Sequence, residues 1–193
     1  MKAIAVFCGS SLGNNGNYKA QATLLGQTLA QNNIKLIYGG AKVGLMGAIA
    51  GAALYKGGKV IGVLPKFLKS KEIAHDELTQ LILVESMHER KTRMHEMSDG
   101  VIALPGGFGT MEELFEMLTW SQLGLHENPI GILNIDGFYD PLISLLENMV
   151  AKGLLKQKNR EMLLIDDNID SLLSQMEKYE APYVPKWIDE EDT

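Results

Sequence analysis

Residues 104–113, Leu-Pro-Gly-Gly-Phe-Gly-Thr-Met-Glu-Glu, limit this chain's folding choices more than any other stretch. Ahead of them, Gly100, Val101, Ile102 and Ala103 make a short apolar run of the kind that becomes a buried strand. Behind them, residues 114–125 carry a helical pattern. A strand, a glycine turn and a helix together leave backbone N–H groups free at the positive end of the helix dipole. Such an end binds anions, phosphate above all. Gly107-Phe108-Gly109 opens like the dinucleotide fingerprint G-x-G-x-x-G, but Glu112 stands where the third glycine belongs. That glycine normally lets the helix pack closely on the strand, so an ordinary dinucleotide turn is not expected.

The carboxylates beside this turn have two readings. Thr110 at an N-cap and Glu113 three residues on spell a T-x-x-E capping box. The helical wheel separates the acids, however. Glu112, Glu116 and Thr119 share one face, whereas Glu113 falls in line with Met117 and Trp120 on an apolar side. A carboxylate held against apolar neighbours has its pKa raised and is a candidate acid or base.

Apolar runs and helical patterns alternate along the rest of the chain. Strands are expected at 3–7, 34–38, 59–64, 81–84, 100–103 and 129–133, with a short last one at 161–165. Helices are expected at 18–32, 44–56, 86–98, 114–125, 140–152 and 169–179, and 66–78 reads as a loop with a short helix. This alternation predicts a single α/β domain over 1–179, a doubly wound Rossmann-like parallel sheet with helices on both faces. An acidic tail, 180–193, follows as a partly disordered end in which Trp187 and Ile188 could dock.

Ligands of such sheets sit beyond the carboxyl ends of the strands. Those ends are Gly9-Ser10-Ser11, Gly39-Gly40, Pro65, residues 85–88 and residues 105–110, and they can converge on one pocket. Gly44-Leu45-Met46-Gly47 makes a second glycine turn, either a second wall of that pocket or a device for tight packing of the small-residue helix on the sheet. Ser10, Gly40 and Met46 thereby join the candidate substrate contacts. In helix 86–98, Met87, Arg90, Met94 and Met97 form one stripe. An arginine on a buried face needs an anion: a structural carboxylate, a ligand phosphate or ribose, or Glu113. Lys91 and Arg93 add positive charge nearby.

Composition removes several classes. A net charge of −6 over 193 residues argues against a large nucleic-acid surface. Cys8 is the one cysteine, so no disulfide framework exists and a reducing, cytoplasmic setting is expected. Residues 1–8 have the outline of a lipoprotein signal, but the apolar part is too short, and no run approaches the roughly 20 apolar residues of a membrane span. The four histidines lack a zinc spacing, and neither a P-loop nor a G-x-S-x-G elbow occurs. No lysine has an evident Schiff-base setting. Gly39-Gly40 stands where a dinucleotide enzyme carries an acid for the ribose, which weighs against NAD.

Met87-His88-Glu89-Arg90-Lys91 together with P-G-G-F-G-T-M-E-E at 105–113 resembles the LONELY GUY family, the cytokinin riboside 5′-monophosphate phosphoribohydrolases. Bacterial members have often been labelled lysine decarboxylases. The likeness runs from Cys8-Gly9-Ser10-Ser11 through Gly44-Leu45-Met46-Gly47 to Asn134-Ile135-Asp136-Gly137-Phe138-Tyr139. It implies hydrolysis of a nucleoside 5′-monophosphate, a cytokinin riboside monophosphate or AMP, to free base and ribose 5-phosphate, without cofactor or metal. It implies Arg90 and Glu113 as the catalytic pair. Gly107, Gly109 and Thr110 would cradle the 5′-phosphate, with Phe108, Met111 and Glu112 in the same binding turn. Glu72, Lys91 and Thr119 match positions that contact the nucleotide. A homodimer with the site near its interface is implied as well. The alternative is a non-catalytic nucleotide sensor on the same fold, and Glu113 separates the two, since a pure phosphate receptor has no need of a carboxylate so close to an anion.

Overall fold

The computed structural model describes residues 1–69 and 74–182. Seven strands, β1 (Ala3–Phe7), β2 (Lys35–Tyr38), β3 (Val60–Pro65), β4 (Gln80–Val84), β5 (Val101–Ala103), β6 (Ile130–Leu133) and β7 (Leu163–Asp166), form one parallel sheet in the order β4-β3-β2-β1-β5-β6-β7. The helices are α1 (Gly16–Gln31), α2 (Gly44–Tyr55), α3 (Lys66–Lys69), α4 (Met87–Glu96), α5 (Phe108–Gln122), α6 (Asp140–Ala151), α7 (Gln157–Arg160) and α8 (Ile169–Glu177). The doubly wound parallel sheet expected from the alternating pattern is the sheet observed. Its last strand, β7, pairs along β6 from Leu163 to Asp166.

β1 lies at the middle and is buried along its whole length, which is why Ala3–Phe7 reads as an unbroken apolar run. Successive side chains of a strand point to opposite faces. Ile4 and Val6 therefore meet α1, α2 and α8 in one core layer, and Ala3, Ala5 and Phe7 meet α4, α5 and α6 in the other. The small residues of α2 serve α1 more than the sheet: a Cβ at Gly26 of α1 would overlap the Ile49 carbonyl.

Strand order reverses between β1 and β5, the place where open α/β sheets bind ligands. The loops there are tied together. The Gly9 N–H donates to the Pro105 carbonyl at 3.0 Å, and the Leu45 N–H donates to the Gly9 carbonyl at 3.0 Å. The turns after β1, β2 and β5 thus form one assembly. Beneath it the buried Tyr139 hydroxyl donates to the Leu104 carbonyl at 2.7 Å, fixing the strand that feeds the Pro105-Gly106 turn.

The capping box expected at Thr110 and Glu113 is not formed. α5 begins earlier, at Phe108, with Gly107 at the N-cap and no side-chain cap. Thr110 is buried against Gly106, where a Cβ would overlap its hydroxyl, and Glu113 is turned inward. A related cap occurs instead on α4, where Ser86 is the N-cap and the Glu89 side chain reaches back to the residue before it. Ser86 Oγ accepts from the Glu89 N–H at 3.1 Å, and Glu89 Oε2 accepts from the Glu85 N–H at 2.7 Å. Among the described residues no helix is long and apolar enough to cross a membrane.

Candidate active site

α4 and α5 bring their charges face to face. With Ser86 and Glu89 fixing the start of α4, Arg90 follows one turn in and points at Glu113 of α5, Nη2 to Oε1 at 3.2 Å. Both side chains are nearly buried, 12% and 8% exposed. Burial is the main influence on Glu113 and pushes its carboxyl pKa up. Arg90 opposes this most strongly, Lys91 opposes it as well, and the charges of Glu112 and Glu116 push up with burial. The net direction is upward, as the apolar wheel position implied. Arg90 also places Nη1 3.8 Å from the Met87 sulfur, and its Nε is buried without a partner. The guanidinium therefore has donors left over beside the carboxylate.

Room for Arg90 is made by Gly39, at the end of β2. A Cβ there would overlap the guanidinium, with the Met46 sulfur 3.1 Å away. No positive φ is involved at Gly39, so alanine is opposed there by these side chains and not by the backbone. Gly39→Ala is expected to displace Arg90 from Glu113, costing about 1–3 kcal/mol of stability and on the order of tenfold or more in ligand affinity measured by calorimetry. Unchanged affinity would mean that the position of Arg90 does not matter to binding.

The second cation, Lys91, sits between Glu112 Oε1 at 2.5 Å and Glu116 Oε1 at 2.8 Å. Burial works against its charge, but the two hydrogen bonds and the two carboxylates outweigh this and raise its pKa. Arg93 turns away to an exposed pair with Glu96. Cys8 lies at the end of β1, and its thiol is driven up by burial and then by the Glu113 charge.

At the head of α5 the first N–H bonded within the helix turn is that of Met111, to the Gly107 carbonyl at 3.1 Å. The N–H groups of Phe108, Gly109 and Thr110 precede it and have no acceptor inside the helix. A Cβ at Gly107 or at Gly109 would meet nothing, so open space lies on that side of the turn. Phe108 is almost wholly exposed, and Met111 packs partly into the α4–α5 core layer. A cavity of about 280 Å³ adjoins the turn, lined by Ser10, Ser11, Gly106 and Gly107 with Tyr18 and Phe138.

Arg90, Lys91, Met46, Glu112 and Glu113 thus meet around one junction, with Ser10, Gly107, Gly109 and Thr110 along the adjoining turn. Gly40 adopts φ +78° and packs against β3, where a Cβ would lie 3.2 Å from Leu64, so its glycine is explained by the turn itself. Thr119 does not join the group. Its hydroxyl donates to the Phe115 carbonyl at 2.7 Å, and it lines a separate cavity with Phe115, Leu146 and Met149. Glu72 lies outside the described residues, as does the tail beyond Pro182. Two contributors had no assigned role in the sequence: Gly39 as the residue that admits Arg90, and Glu116 as a partner of Lys91. The i, i+4 spacing from Glu112 was the available signal for the second.

Residues 46–176 match the family model described as "Possible lysine decarboxylase". A protein of Oryza sativa subsp. japonica named "Probable cytokinin riboside 5′-monophosphate phosphoribohydrolase" is 48% identical over 176 residues, which cover 91% of this chain and 79% of that one. The chain belongs to the cytokinin riboside 5′-monophosphate phosphoribohydrolase family. A phosphoribohydrolase of Arabidopsis thaliana is 44% identical over 188 residues, 97% of this chain and 86% of that one. Outside the phosphoribohydrolase family, the molybdenum cofactor binding protein of Rippkaea orientalis superposes with a TM-score of 0.69 over 91% of this chain and 95% of that one. At 24% identity the likeness is one of fold alone.

Proposed function

We propose that this protein hydrolyses the N-glycosidic bond of a nucleoside 5′-monophosphate, a cytokinin riboside monophosphate or AMP, giving free base and ribose 5-phosphate. The observation that carries the reading is the buried Arg90–Glu113 pair beside the open turn at the head of α5. The relatives' names agree with it. In this reading the 5′-phosphate takes the free N–H groups of residues 108–110 and the positive end of the helix dipole. The spare donors of Arg90 hold the phosphate or ribose through charge-assisted bonds.

As the bond from C1′ to the base lengthens, its electrons leave with the base and positive charge grows on the ribose. The Glu113 carboxylate stabilises that charge and takes a proton from the water that adds to C1′; that proton then passes to the nitrogen of the departing base. Arg90 helps keep Glu113 ionised against burial. A nucleotide sensor would gain nothing from this carboxylate, whose charge opposes an incoming phosphate. The decarboxylase label fits the site poorly. A Schiff-base lysine needs a lowered pKa, whereas Lys91 is held protonated by two carboxylates.

We infer a cytoplasmic homodimer formed through the α5–α6 face. That face exposes Phe115 and Leu145 beside the cavity lined by Leu146 and Met149. Thr119 lies on it, and in this dimer it contacts the nucleotide held by the second copy.

The phosphate requirement tests the reading. Base release from AMP is expected to exceed that from adenosine by about 100-fold in kcat/KM, the worth of two charge-assisted bonds at about 1.5 kcal/mol each. Equal rates would remove the α5 turn from the substrate site.

A further inference from the structure

We propose that Glu116 is a positioning residue for this reaction, holding Lys91 in place and with it the charge balance around Glu113. The inference rests on the hydrolase reading above. Three observations support it. Lys91 is shared by two carboxylates of unequal standing: Glu112 is 55% exposed, whereas Glu116 is 18% exposed and lies deeper against Lys91. Glu116 Oε2 is buried with no hydrogen-bond partner, a costly arrangement for an acceptor whose other oxygen already meets a lysine. Glu113 and Glu116 are one turn apart on α5, opposite Arg90 and Lys91, which are consecutive on α4. The four side chains act as one unit.

The groups facing Glu113 can be named. From α4 come Arg90 and Lys91, both positive; from α5 come Glu112 and Glu116, both negative; from β1 comes the neutral Cys8 thiol. With Glu113 itself the set carries two positive and three negative charges. Removing the charge of Glu116 takes away one negative neighbour of Glu113 and leaves Lys91 less neutralised. Both changes favour the ionised form of Glu113, so their effects add. Glu112 touches the same lysine from the more exposed side, and its charge also raises the Glu113 carboxyl.

The test compares kcat/KM for AMP against pH in the parent, Glu116→Gln and Glu112→Gln. Glutamine keeps the shape of Glu116 and an oxygen for Lys91. The limb governed by Glu113 is expected to move to lower pH in Glu116→Gln by about half to one unit, and in the same direction in Glu112→Gln, whose charge also raises Glu113. Glu116→Asp, which restores the charge, is expected to bring the limb back. A lower rate with an unmoved limb would make Glu116 a structural residue, and an unchanged rate and limb would make it a bystander; either overturns the inference. A parent that releases no base would overturn the hydrolase reading itself, a separate outcome.

Discussion

Glu113→Gln is expected to lower kcat by about 10³-fold while leaving ligand binding in place. Positioned proton transfer and fixed charge at a reacting centre each contribute on the order of 10²–10³, and in the proposed mechanism both depend on this one carboxylate. The amide has the same shape, so the junction between α4 and α5 keeps its packing. Binding of the phosphate moiety should hold or tighten, because a negative charge has left its neighbourhood. Calorimetry with ribose 5-phosphate separates this from loss of the site. A variant within tenfold of the parent's kcat would mean that Glu113 serves the fold or the ligand, and that the chemistry is done elsewhere.

Arg90→Ala has the second large effect, one that changes with pH. Arg90 is the chief influence opposing burial at Glu113. Without it the carboxyl pKa climbs further, and the native state has to bury an uncompensated charge once the pH exceeds that raised value. A carboxyl whose pKa is higher in the folded than in the unfolded chain loses stability as pH rises from about 4.5 through the folded value. The deficit against the parent is therefore expected to be small near pH 4.5 and to grow toward pH 8. There a broken buried pair costs about 3–5 kcal/mol, roughly 10 °C in Tm for a chain of this size. Thermal melts across that range check it. A deficit independent of pH would show that Arg90 acts through packing. Activity should fall with affinity, since the same guanidinium offers the spare donors.

The positions of the strands followed readily from the sequence because the apolar runs end in glycine turns. Ala3–Phe7 is a central strand with no polar face to confuse its reading, and β7, at the opposite edge from β4, was visible from Leu163, Leu164 and Ile165. The Arg90–Glu113 ion pair, one of the partnerships the sequence left open for Arg90, was legible for a physical reason. Arg90 broke an apolar stripe on one helix, Glu113 broke an apolar side on another, and two opposite charges on buried faces satisfy each other. Local motif reading failed where tertiary packing won. Thr110 matched a capping box, but its hydroxyl fills the space beside Gly106, so the helix starts one turn's edge earlier with a glycine cap. The helix wheel put Glu112, Glu116 and Thr119 on one face, yet only the first two reach Lys91, because Thr119 lies two turns further along and faces α6. Gly39 was read as evidence against NAD. That its missing side chain admits a guanidinium depends on a residue 51 positions away, and no local pattern carries that information.

The most direct measurement is a chromatographic count of free base and ribose 5-phosphate after incubating the purified parent, and Glu113→Gln in parallel, with AMP and with isopentenyladenosine monophosphate. Equal amounts of the two products from the parent, with neither above background from the variant, are the expected result. Intact nucleotide recovered from a parent whose Tm rises on binding it would contradict the hydrolase and make this chain a nucleotide sensor.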